Sequence, residues 1–237
     1  MSRIFTLGLI FVVTVEAALA VAAKPPPVPA ARVTVHRVGT LAEITAEIGQ
    51  QAGITFDLSS ADAAVKVEAK FDTTPVWEAV EKLAEQSGHF VGLIGNKVKL
   101  TRRPNGVAAV PSAIDGPFRV VLKRVIARRD PERADTEYEL QLEVQWEPRF
   151  PVYLIDTEPK ATATVSGKTF VADAVSVRVV PTGSTQTAVV RLKNVPREAK
   201  QLEELTGTFR VVAAAKVLAF EFADLTGEKP VSVSTDG

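Results

Sequence analysis

His36 and His89 are the only imidazoles in the 237-residue chain. Imidazole is the side chain best suited to proton transfer or metal ligation near neutral pH. The pair lacks the i, i+4 spacing that sets two ligands on one helical face, and each lies in or beside an expected strand. A metal site would need both to meet across a sheet with a carboxylate such as Asp57, and no ligand-spacing motif supports that; ordinary polar positions are expected. The loop Asp130-Pro131-Glu132-Arg133-Ala134-Asp135-Thr136-Glu137 offers carboxylates to calcium. It lacks the order of a calcium-hand loop, and Arg133 would oppose the cation, so it reads as a solvated turn.

Ser166-Gly167-Lys168-Thr169 has the ending of a phosphate-binding loop. Thr162 stands where that loop needs its first glycine, and a strand, not a helix, is expected to follow. A hairpin turn is the better reading. No Gly-x-Ser-x-Gly elbow occurs to present a nucleophile. Scattered acids between domains, such as Asp57 and Glu68, would work as a pair only if one carboxyl were raised. The chain therefore reads as non-enzymatic, with no catalytic residue, cofactor or metal expected. Of the two tryptophans, Trp146 completes an inward alternation and belongs in a core. Trp77 lies one step off the apolar stripe of its helix and is the candidate partner-binding residue.

The N-terminus sets the compartment. Arg3 is a short positive region, residues 4–15 are almost entirely apolar, and small residues follow through Ala23. That is the layout of a Sec-type signal peptide over 1–22, with cleavage expected after Ala20, Ala22 or Ala23. Glu16 leaves the apolar run well short of the roughly 20 residues a spanning helix needs. The mature chain is expected in the periplasm or cell envelope, without a transmembrane segment.

The chain has no cysteine, which excludes disulfides and thiolate metal sites. Basic and acidic residues number 28 each, and loss of Arg3 and Glu16 with the leader keeps the balance at zero. A neutral chain has no electrostatic drive toward nucleic acid. Hydrophobic residues at 46% suffice for two modest cores.

Residues 23–32 form a proline-rich linker around Lys24-Pro25-Pro26-Pro27-Val28-Pro29, and residues 104–116 an inter-domain connector. Between them, residues 33–103 read as strand, helix, strand, strand, helix, strand, strand on one small sheet. Thr40-Leu41-Ala42-Glu43 is a capping box, and Leu41, Ile44, Ile48 and Ala52 share one helical face that Gly53 closes. Alternating strands are expected at 54–58 and 65–71. Thr74-Pro75 opens the second helix with proline in its first turn, Val76, Val80 and Leu83 form its buried stripe, and Gly88 ends it. Gly95-Asn96 is a two-residue hairpin turn.

This order, with the 65–71 strand leading into Thr74-Pro75 and the Leu83-Ala84-Glu85-Gln86-Ser87-Gly88 helix end, resembles the short N-terminal (STN) domain of secretins and TonB-dependent receptors. In that family the domain is a periplasmic protein-docking unit, so the resemblance implies binding of another envelope protein. It covers less than a third of the chain and carries over neither pore formation nor nutrient uptake.

Residues 117–227 read as an immunoglobulin-like β-sandwich, giving an α+β protein overall. Tyr138 to Trp146 alternates without error. Further strands are expected at 118–126, 152–155, 161–165, 170–180, 187–192, 208–212 and 217–222, with one helical turn in 197–205. Residues 228–237 form a tail whose 231–237 stretch alternates like the start of a strand. The functional expectation is an envelope adaptor that docks a protein through 33–103. The alternatives are a carbohydrate- or matrix-binding sandwich and an enzyme with an inter-domain acidic site.

Overall fold

The computed structural model describes residues 8–15, 29–129, 136–173, 177–196 and 202–213. Among the described residues strands predominate against two helices, a mainly β architecture of α+β type. The path opens with β1 (Gly8–Val15) and then builds a first unit. Its elements are β2 (Arg32–Thr40), α1 (Leu41–Ala52), β3 (Thr55–Ser60), β4 (Lys66–Pro75), α2 (Val76–Ser87), β5 (His89–Ile94) and β6 (Lys97–Arg102).

Local chemistry sets both helix ends of α1. The Glu43 amide donates to Thr40 Oγ1 at 3.2 Å, and the Thr40 amide donates to Glu43 Oε2 at 2.8 Å, satisfying two helix-start donors. Gly53 stops the helix at φ 67°, and Gly88 stops α2 at φ 72°, a region that a side chain disfavours. Pro75 sits one place earlier than expected, as the cap of α2 and not within its first turn. The Val76 amide consequently needs its own acceptor and finds Ala31 O at 2.8 Å.

The helices do not share a single sheet. β2 pairs antiparallel with β4, while β3, β6 and β5 form a separate three-stranded sheet with β3 parallel to β6. Leu41, Ile44, Ile48, Val76, Val80 and Leu83 nonetheless meet in one core, closed by Phe71, Val98 and Leu100. The helical stripes thus predict the core correctly but not the division of the strands into two sheets.

The second unit comprises β7 (Ser112–Asp115), β8 (Phe118–Arg129), β9 (Thr136–Trp146), β10 (Val152–Asp156), β11 (Lys160–Val165), β12 (Lys168–Val171), β13 (Arg178–Val179), β14 (Thr185–Lys193) and β15 (Leu202–Ala213). One sheet runs β14-β9-β8-β7, and the other runs β12-β11-β15-β10-β13 with β1 also paired to β15. Both sheets face one core that contains Phe118, Leu140, Leu142, Val144 and Trp146 from one side and Ile155, Leu205, Phe209 and Val211 from the other. The four β9 side chains in that core each contribute about 1.5–3 kcal/mol gross, while Tyr138 is only half-buried.

Three expectations change here. Residues 112–115 of the connector pair with β8 as β7. The single strand expected over 170–180 is two short ones, β12 and β13, separated by residues of which 174–176 lie outside the described set. Leu202 to Leu205, expected in a helical turn, begins the 12-residue β15 because its alternating side chains cover the core. The strand expected at 217–222, the strand-like start at 231–237, and most of the acidic loop at 130–137 lie outside the described residues.

The apolar stretch expected to act as a leader core contributes β1. It runs parallel to β15 in register from Gly8↔Glu204 to Val15↔Val211. Strands β10 and β11 lie end to end along the opposite edge of β15, so β1 alone covers this edge among the described residues.

Candidate functional site

Polar chemistry concentrates where the two units meet. Trp77 is buried there at 1% exposure, its indole N–H donating to Pro117 O at 2.9 Å. It anchors one unit to the other, so it is not the exposed contact residue that its place on the helix suggested. The one-step offset from the α2 stripe does mark a distinct surface, but β8 and its leading turn cover that surface.

Beside it, Arg119 is buried and bridges the units. Its Nε donates to Glu81 Oε1 at 2.7 Å and its Nη1 donates to Gln145 Oε1 at 2.7 Å. Ser112 Oγ donates to the same Glu81 oxygen. Gln145 passes the chain on, its Nε2 donating to Glu143 Oε1 at 2.5 Å. Glu81 comes from α2 of the first unit, and the other groups come from β7, β8 and β9 of the second. Charge-assisted bonds of this kind satisfy a buried guanidinium that would otherwise be costly.

A second clamp holds the entry segment. Both Glu147 oxygens accept the Ala31 amide, at 2.9 and 3.1 Å, and Arg149 Nε donates to Glu147 Oε2 at 2.5 Å. Arg149 Nη2 also reaches Pro29 O at 2.9 Å. The Glu147 side chain is fully shielded, and burial pushes its carboxyl above the usual range despite those donors. A smaller contact, Ser184 Oγ to Asn96 Oδ1 at 3.0 Å, links the far ends.

A cleft of about 430 Å³ opens beside Arg119, lined in part by Glu85, His89, Arg103, Val110 and Lys123. His89 is 4% exposed and fully engaged. Its Nε2 accepts the Asp62 amide at 3.1 Å, which leaves the proton on Nδ1 to donate to Ser87 Oγ at 2.9 Å. Burial holds its pKa below the usual imidazole value, chiefly through desolvation. Both ring nitrogens are thus taken by protein partners, and the ring orders the turn after β3.

The other residues flagged by type do not converge. His36 stands on β2, in a different sheet from His89 on β5. Asp57 accepts the Ser59 amide at 2.9 Å, and hydrogen bonds from Ser59 hold its carboxyl low, the reverse of what a proton donor needs. Glu68 pairs with Lys70 at 2.8 Å on the exposed face of β4. Among the described residues no group of three or more His, Cys, Asp or Glu side chains is placed to hold a metal ion. Ser166 and Gly167 form the two-residue turn between β11 and β12, both at positive φ, as the hairpin reading requires. Trp146 is 1% exposed in the second core.

Sequence reading missed the clamp of Glu81, Arg119, Gln145, Glu147 and Arg149. One signal was available: Arg119 is the single charge in Phe118-Arg119-Val120-Val121, a run otherwise suited to burial. No helix among the described residues is long and apolar enough to cross a membrane. No family model, curated protein or solved structure matches the chain.

Proposed function

We propose that this chain is an exported envelope adaptor. In this reading residues 1–22 direct export, the STN-type unit at 33–103 docks another envelope protein, and the immunoglobulin-like second unit presents it. The observation that carries the reading is the set of strand edges that no other strand covers among the described residues of the first unit, although Gln51 caps Thr34 on β2 and Arg119 reaches Val91 O on β5. Among the described residues each of β2, β4, β3 and β5 pairs with a single neighbouring strand, and Val38 on β2 and Ile94 on β5 are 64% and 57% exposed. An unpaired strand edge beside exposed apolar side chains is the surface on which a partner adds a strand. The clamp around Arg119 and Trp77 supports the same reading, because it fixes the docking unit on its carrier.

Photo-reactive residues placed singly at Val38 and Ile94 test it in the native host. Exposed positions tolerate that change, whereas deleting 33–103 would strip the cover from Arg119 and Glu147. The expected result is an adduct with one envelope protein from at least one of the two sites. Absence of any adduct from both, with the protein exported and folded, overturns the reading.

A further inference from the structure

The edge of β15 covered by β1 presents Leu205, Gly207, Phe209 and Val211 as its inward row, all buried. Opposite them in register stand Leu9, Phe11, Val13 and Val15, four apolar residues at alternate positions. Residues directly opposite on paired strands share a face of the sheet, so this edge calls for an apolar residue at every second place. Strand β1 also lies beside β7, the outermost strand of the facing sheet, and so closes the gap between the two sheets. If residues 8–15 leave with the leader, that closure leaves too.

In the registers a short hairpin would allow, the sequence after β15 does not match this row. A short hairpin return from β15 that sets Leu218 opposite Ala213 brings Asp224 opposite Gly207 and Thr226 opposite Leu205. Moving the register one residue either way sets Glu221 opposite Phe209 or Val211. Each choice places a charge in the buried row, at a cost of several kcal/mol without a partner.

We propose that in the exported protein the β15 edge over residues 204–211 is a strand-accepting slot, filled by an extended segment of another envelope polypeptide with apolar side chains at four alternate positions. This rests on the export reading, but it concerns the second unit and stands apart from docking at Val38 and Ile94. Main-chain hydrogen bonds would supply affinity, and the alternating pockets would supply selectivity.

The full chain is expressed with export, and its mass establishes whether residues 1–22 have been removed. A synthetic peptide with the sequence of Gly8–Val15 between lysine pairs is then added, and hydrogen exchange is followed residue by residue. The expected result is saturable slowing of amides within 204–211, about tenfold or more, with no change in the first unit. A peptide carrying Phe11→Asp and Val13→Asp should give none. Retention of residues 1–22, unaltered exchange, or amides already protected before the peptide is added would each overturn the proposal. Prior protection in a monomer would assign the slot to the chain's own tail, and prior protection in a dimer to a second copy.

Discussion

Arg119 and Glu81 meet at 2.7 Å across the junction of two hydrophobic cores, one contributed by β8 and the other by α2. The guanidinium side chain is 5% exposed and the carboxylate 30%. Arg119→Ala should therefore leave Gln145 and Glu81 short of a donor and cost about 2–3 kcal/mol, less than a fully enclosed pair because Glu81 retains some water. Urea denaturation followed at separate probes in the two units checks this. The expected signature is a lower midpoint together with divergence of the two unfolding curves.

Trp77→Ala should cost about 3–5 kcal/mol, since it empties a large volume between α2 and the Pro117 turn. Trp77→Phe keeps most of the packing but orphans the Pro117 carbonyl, and should cost about 1–3 kcal/mol. Thermal unfolding of both variants separates the two contributions. Equal stability of Trp77→Phe and the parent would remove the hydrogen bond from the account.

His89 makes stability depend on pH with a definite sign. Its pKa is lowered from 6.5 by burial, so below that pH the unfolded chain takes up a proton that the native ring refuses. Stability should fall as pH drops from 7 toward 5.5, and the fall should be smaller in His89→Gln. Urea midpoints at the two pH values measure it.

Glu147 acts in the opposite direction. Its carboxyl is raised above 4.5 by burial, so on raising the pH from 4.5 the unfolded chain ionises first and native stability declines until the folded value is passed. Glu147→Gln keeps an acceptor for the Ala31 amide and should flatten this part of the profile. A parent profile already flat from pH 4.5 upward would contradict the burial argument.

The elements of the first unit were legible because each rests on local chemistry. The Thr40–Glu43 box, the glycines at 53 and 88 and the Gly95-Asn96 turn are all decided within a few residues of chain. The partition of its strands into two sheets was not legible, because it depends on which edges meet after collapse. Trp77 shows the same limit: its offset from the helical stripe gave a face, but only the fold supplies Pro117 on the other side. Residues 170–180 alternate well enough to read as one strand, yet β12 pairs with β11 and β13 with β10, since the sheet recruits the two ends to different neighbours. The neighbours of β15 were equally hidden, as nothing in Leu202 to Ala213 alone tells that β1 takes one edge and β10 and β11 the other.

The docking claim is tested most directly by affinity. With the protein captured at Val38 or Ile94 in hand, its binding to the parent and to the Val38→Lys, Ile94→Lys double variant is compared at matched salt. The account predicts at least about a tenfold loss, near 1.4 kcal/mol, with the unfolding temperature unchanged. Equal affinity of the two forms would contradict it.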